Sequence, residues 1–222
     1  MTRSPLSSVL SKACRVLLID GMEVFRIGLA QVVASIPQLL VCATTGDYGE
    51  IPQLIERHRP HLLIAEPFRN NEDGIFWIKD LHGRFPRTKI LVASSNSEST
   101  YAERILRAGA SGYWMKDGTS ERLHEAIQTV LAGEIWVSPR VGLLAVRKLV
   151  AGSEKKRDLL SQLSNRELTI FTSIGAGHGT GQIARELGIS RKTVETHCAH
   201  IKLKLGYRSA AALKRGASES LG

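Results

Sequence analysis

Between residues 15 and 131 the chain repeats one pattern five times: a short β-branched or Leu-rich run, then a longer stretch with helical periodicity. The runs are 15–20, 39–44, 61–65, 89–93 and 112–115, and the helical stretches are 24–34, 48–57, 75–84, 98–108 and 120–131. Strands that alternate with helices imply a parallel sheet covered on both faces. Five such units in about 125 residues suit an α/β sandwich with a five-stranded parallel sheet of the flavodoxin-like kind.

The second half follows a different rule. Residues 139–150 (PRVGLLAVRKLV) are amphipathic enough for a linker helix, and 151–156 (AGSEKK) read as a flexible joint. Four helices are expected after it. Ser164 caps the first, and Glu167 three residues later completes a capping-box pattern. Gly175 and Gly177 end that helix. Residues 181–187 form the second, Gly188 makes the turn, and Ser190 caps a third that runs to about Leu205. A fourth covers roughly 209–215. The expected organisation is therefore a loose arm over 1–13, an α/β domain over 14–138, a linker with a helix over 139–158, and a small all-α domain over 159–222.

Charge separates the same two halves. The chain carries +9 overall, but residues 14–138 hold 13 basic and 15 acidic side chains, whereas 159–222 hold 9 and 4. Only the back half is suited to a polyanion. Cys14, Cys42 and Cys198 are far apart and lack metal-ligand spacing, as do His58, His61 and His82. No apolar run approaches the roughly 18 residues of a membrane span, and the first residues lack the apolar core of an export signal. The expectation is a soluble protein of the reducing cytoplasm with no membrane partner, no metal and no cofactor.

Within the back half, Val194, Ile201, Leu203, Leu205 and Cys198 are expected to face inward from the third helix. The other side presents Lys192, Glu195, Thr196, Ala199, His200 and Lys202. A helix of this size fits the major groove, where base edges carry the full donor and acceptor code. Glu195 suits a cytosine amino group, Thr196 a thymine methyl, and the small Ala199 a close approach to the groove floor. The plainer alternative is a charged, solvated face on an ordinary helical bundle. Residues 175–181 (GAGHGTG) superficially resemble a phosphate loop, but no Lys-Ser/Thr ending or preceding strand accompanies them. Cys198 is expected to be a small buried hydrophobe rather than a redox switch.

Leu163, Ser164, Arg166, Glu167, Gly177, Ile183, Ala184, Leu187, Ser190, Thr193, Val194, His197, Ile201, Lys204 and Leu205 stand where the LuxR/NarL-type DNA-binding domain has similar residues. The segment resembles that domain over some fifty residues. The resemblance implies base contacts from Glu195, Thr196 and Ala199, and dimer pairing through the last helix near 208–213. It also implies two-fold related half-sites on double-stranded promoter DNA. Lys192, Thr193, His200 and Lys202 are the expected flanking contacts, and His197 is expected to pack beneath the helix and donate to one phosphate.

The front half carries LLIDGMEVFRIGL, RPHLLIAEPFRNNEDG, ILVASSNSES and AGASGYWMKD in an order that resembles receiver domains of response regulators. Receivers transfer a phosphoryl group to an Asp after the third strand, with Mg²⁺ held by hard oxygen ligands. Asp20 stands at the first carboxylate position, but the second is Gly21 and the acceptor position is Glu66. Ser94 and Lys116 match the phosphoryl-binding pair, and Tyr113 the aromatic switch position.

Glu66, one methylene longer than Asp, is expected to pair directly with Lys116. The whole chain thus resembles a LuxR/NarL-family response regulator with an atypical receiver lacking the acceptor Asp. It is expected to be a phosphorylation-independent transcription regulator rather than an enzyme, acting as a homodimer, and the sequence leaves the existence of a cognate kinase open. RNA polymerase is an open further partner. The rival readings are conventional activation by phosphorylation, a module that accepts and hydrolyses phosphoryl groups, and one that sequesters a partner.

Overall fold

The computed structural model describes residues 13–68, 74–150 and 159–220. The expected joint over 151–156, and all but residue 13 of the expected N-terminal arm, lie outside the described residues. The chain separates into two compact units that change over between Leu143 and Leu144. That changeover lies within a single helix, Pro139–Val150 (α6).

The first unit is a five-stranded sheet flanked by helices. Its elements run β1 (Cys14–Ile19), α1 (Glu23–Ala34), β2 (Leu39–Thr45), α2 (Ile51–His58), β3 (Leu62–Ala65), α3 (Gly74–Arg84), β4 (Lys89–Ser94), α4 (Glu98–Arg107), β5 (Gly112–Met115) and α5 (Ser120–Leu131). All pairings are parallel, in the order β2-β1-β3-β4-β5. β3 is buried along its whole length and β1 along all but Arg15. Their Leu-, Ile- and Val-rich composition is what a strand covered on both faces requires. Val16, Leu18, Ile64, Leu91, Ile127 and Val130 are all fully buried in one cluster that joins the sheet to α1 and α5.

Local departures have local causes. The pattern over 48–57 is not one helix: Asp47 caps a 3-10 turn at Tyr48–Glu50, and Pro52 then opens α2. The register of β1 on β2 slips between Val16 and Leu17, leaving Cys42 without a ladder partner. Its Sγ donates instead to the Val16 carbonyl at 3.3 Å. Beyond β5, Trp136 returns to the sheet, making a bridge with Gly112. The Trp136 amide donates to Ser111 O at 3.0 Å, and Tyr113 N–H donates to Trp136 O at 3.2 Å.

The order reverses between β1 and β3. In open α/β sheets the crevice for chemistry lies at the carboxyl ends of strands flanking such a reversal. Asp20 and Glu66 follow those two strands directly, and Ser94 and Lys116 close the neighbouring ends of β4 and β5.

The second unit is helical: α7 (Asn165–Gly175), α8 (Thr180–Glu186), α9 (Arg191–Leu205) and α10 (Ala210–Glu219), preceded by a 3-10 turn at Leu159–Gln162. Leu168, Ile170, Phe171, Ile183, Val194, Ile201 and Leu213 supply its buried centre. The last helix runs to Glu219, four residues beyond the expected end, because nothing before Ser220 interrupts it. No helix among the described residues is long and apolar enough to cross a membrane.

Candidate nucleic-acid interface and carboxylate pocket

α8, a sharp turn and α9 form a helix-turn-helix. The Ile189 amide donates to Ala184 O at 3.0 Å, and Gly188 takes a φ of +53° that favours a residue without Cβ. Ser190 then caps α9, its Oγ accepting the Thr193 amide at 3.0 Å. Gly206 ends the helix in the left-handed region, with its amide bonded to Lys202 O. From α7, the Arg166 guanidinium donates to Leu187 O at 3.1 Å and ties the turn down.

The outer face of α9 exposes Lys192, Thr193, Glu195, Thr196, Ala199 and His200, with Lys202 half-buried at its edge. Several of these side chains hold each other. Arg191 Nε donates to Glu195 Oε1 at 3.1 Å, Thr196 Oγ1 donates to Lys192 O at 3.0 Å, and the hydroxyls of Thr193 and Ser190 lie 2.8 Å apart. Val194 and Ile201 turn inward, and Cys198 and Leu205 are half-buried.

Leu203 does not follow them. It is 86% exposed, so the expectation that it faces the core is corrected. It follows Ile201 by two positions, which on a helix turns it about 200° away from that buried residue.

His197 is half-buried, and its Nδ1 is buried without a hydrogen-bond partner among the described residues. Burial, with Arg166 nearby, holds its pKa below the ordinary 6.5, so the ring favours the neutral form. The buried Glu167 accepts the Ser164 amide at 2.7 Å, completing the capping box, and pairs with Lys204 at 2.6 Å. Burial pushes its carboxyl up, yet the bonds from Lys204 and Ser164 together hold it below the ordinary range. Sequence reasoning took Glu167 as a cap alone and missed the ion pair, since Lys204 lies thirty-seven positions away.

In the first unit four strand ends meet around one ammonium group. Lys116 Nζ lies 2.5 Å from Asp20 Oδ2 and 3.3 Å from Glu66 Oε2. The expected contact between Glu66 and Lys116 is present, but Asp20 is the nearer partner. Asp20 Oδ1 also accepts the Met22 amide at 2.7 Å, and Arg26 Nη1 donates to the Asp20 carbonyl at 2.5 Å. Glu66 accepts two further amides, Phe68 at 3.2 Å and Ser95 at 3.3 Å.

Gly21 is exposed and presents no side chain to this group. Ser94 is fully buried, with Oγ accepting the Asn96 amide at 3.1 Å. Tyr113 is also fully buried, and its hydroxyl donates to Asn96 O at 2.8 Å. Burial raises the Glu66 carboxyl above its ordinary pKa despite Lys116, and raises the Tyr113 phenol strongly.

Phe25 and Arg26 were not singled out from sequence. The Lys116 ammonium lies 4.5 Å from the centre of the Phe25 ring. Both residues sit in the first turn of α1, and only tertiary packing brings the Phe25 ring to Lys116 and the Arg26 guanidinium to the Asp20 carbonyl.

Residues 161–217 match the family described as bacterial regulatory proteins, luxR family, and residues 16–128 match the response regulator receiver domain. The chain is 32% identical over 200 residues to the oxygen regulatory protein NreC of Staphylococcus haemolyticus, a match spanning 88% of this chain and 92% of NreC. Among solved structures it resembles RcsB of Salmonella enterica serovar Typhimurium bound to promoter rprA, with a TM-score of 0.63 and 23% identity. That likeness covers 93% of this chain and 99% of RcsB, and at this identity it speaks to the fold alone. A LuxR-family two-component response regulator from Aurantimonas is 25% identical with a TM-score of 0.58, covering 63% of this chain and 99% of the other.

Proposed function

This chain belongs to the LuxR family of response regulators, with a receiver domain followed by a DNA-binding helix-turn-helix, and on that footing we propose that it regulates promoters without waiting for a phosphoryl group. It binds double-stranded promoter DNA as a homodimer, through α9 and with pairing near 208–213. Glu195, Thr196 and Ala199 read base edges, while Lys192, Thr193, His200 and Lys202 hold phosphates. His197 donates to a phosphate from beneath the helix. The +5 balance of 159–222 supports this division of labour.

The observation that carries phosphate independence is the position of Lys116 between Asp20 and Glu66. A receiver's phosphoryl transfer uses Mg²⁺ in a set of hard oxygen ligands. The residues here do not fit that ion. Gly21 offers no carboxylate, both Asp20 oxygens already face a donor, and Glu66 is taken by Lys116 and two amides. Glu66 supplies, from the protein itself, a negative charge near where an acquired phosphoryl group would bring one. The receiver half then needs no cognate kinase.

Incubation with a small phosphodonor and Mg²⁺, followed by intact mass measurement, tests this reading. The expected result is an unmodified protein that binds its promoter equally well with and without donor. Stoichiometric labelling of Glu66 or Asp73, the latter outside the described residues, would overturn it.

A further inference from the structure

Three metal-type ligands converge between α7 and the reader helix α9. One carboxylate oxygen of Glu167 and one ring nitrogen each of His197 and His200 lie within 4.8 Å of one another. We propose that these three side chains form a binding site for a divalent transition-metal ion of the zinc class, which fastens the start of α7 to the middle of α9. The inference does not depend on any DNA-reading role of α9.

The two histidines are three positions apart on one helix, a spacing that puts them on the same face. Glu167 approaches from the first turn of α7 already oriented. Its Oε2 accepts the Ser164 amide at 2.7 Å and the Lys204 ammonium at 2.6 Å, which fixes the carboxylate. Its Oε1 lies 3.9 Å from His200 Nδ1. That is too long for a hydrogen bond. Two ligands on one tetrahedral zinc ion stand roughly 3.4 Å apart, given metal–ligand bonds of about 2.0–2.1 Å, so ligand atoms that now lie within 4.8 Å of one another must draw together by side-chain rotation when an ion binds.

His197 brings an unmet demand to the cluster, since its Nδ1 is buried with no partner among the described residues. Exposed His200 gives an ion access from solvent. Two imidazoles and one carboxylate suit zinc better than magnesium or calcium, which prefer oxygen-only shells. Hydrogen bonds that orient a ligating carboxylate from behind are a recurrent support of such sites, and Ser164 and Lys204 provide them.

The test uses the full chain without a polyhistidine tag, stripped with chelator and titrated with Co²⁺, followed by zinc displacement. The expected result is one equivalent of cobalt, a visible ligand-field band, and no thiolate charge-transfer band. His200→Ala, at an exposed position whose folding circular dichroism can check, should weaken binding about tenfold or more. Cys198→Ser, at the half-buried thiol on the same helix, should leave the titration unchanged. A wild-type protein that takes up no cobalt, a His200→Ala variant that binds as wild type does, or a thiolate band lost with Cys198→Ser would each overturn the proposal.

Discussion

The Lys116 ammonium sits 2.5 Å from the Asp20 carboxylate, and both side chains are almost wholly withdrawn from water. Removing one partner of such a pair leaves the other charge buried and uncompensated. Lys116→Met should therefore destabilise the first unit by about 3–5 kcal/mol. Urea unfolding of the full chain, followed by far-UV circular dichroism, reads this as an earlier first transition. A transition that stays in place would mean that Asp20 finds another donor.

Glu66 makes a different prediction, about pH. Burial raises its carboxyl above the ordinary 4.5, against the opposing attraction of Lys116, whose nearer partner is Asp20. The folded protein then holds a proton on Glu66 at pH values where the unfolded chain has lost it. The stability this gives is present below pH 4.5 and is lost as the pH rises toward the folded value. Glu66→Gln has nothing to lose across that window, so its stability relative to wild type should climb with rising pH. Denaturation midpoints at a series of pH values decide the matter, and a relative stability that falls instead would show Lys116 outweighing burial.

Ile201 and Leu203 lie two residues apart on α9 and should respond very differently. Ile201 is fully buried, so Ile201→Ala should cost about 2–5 kcal/mol. Leu203 is exposed, so Leu203→Ser should change monomer stability by less than about 0.5 kcal/mol. Thermal melts at low protein concentration compare the two directly.

For DNA, Lys192→Ala should weaken binding to all sequences alike and lower the slope of log K against log salt by about 1. Glu195→Ala should instead relax discrimination at one base position, worth about 1–3 kcal/mol. Its ion pair with Arg191 is exposed on both sides, so folding should hardly change. Competition binding with a promoter and with random DNA separates the two variants. Equal losses for Glu195→Ala on both DNAs would remove it from base reading.

Gly216 is the tightest point of α10. A Cβ there would lie 2.1 Å from the Tyr207 hydroxyl oxygen. Gly216→Ala should force Tyr207 or the helix to move and lower stability by about 1–3 kcal/mol. Two ring carbons would also lie 2.4 and 2.6 Å from that Cβ, so Gly216→Ala should cost much less in a Tyr207→Ala background, where the ring is gone, than in the wild type; thermal melts of the two single variants and the double variant check this.

Much of the fold was legible because the period of the apolar pattern changes where the architecture changes. Continuous apolar runs such as LLIA become buried parallel strands, and Ser164 and Ser190 cap the helices they precede. The four residues around the carboxylate pocket were found through the resemblance to receiver domains, and the fold places each of them at or just after a strand end. What escaped were relations that only tertiary packing decides. Lys116 faces Asp20 more closely than Glu66, Phe25 lies beneath its ammonium, and Lys204 reaches across to Glu167. Leu203 was misplaced because a hydrophobic side chain on an amphipathic helix was assumed to point inward.

The return of Trp136 to the sheet has a consequence for how this protein keeps to itself. A parallel sheet ends in two rows of unpaired amides and carbonyls, each an invitation to a strand from another chain. On the β5 side Trp136 occupies part of that row, and Gly112 eases the approach: a Cβ there would sit tightly, 3.0 Å from the Trp136 carbonyl oxygen. Gly112 gives up strand propensity and closes an edge in return. A larger residue at that position would press on Trp136, Leu91 and Val130 together, and wherever Trp136 gave way a sealed border would become an adhesive one, with aggregation rather than lost DNA binding as the first sign of damage.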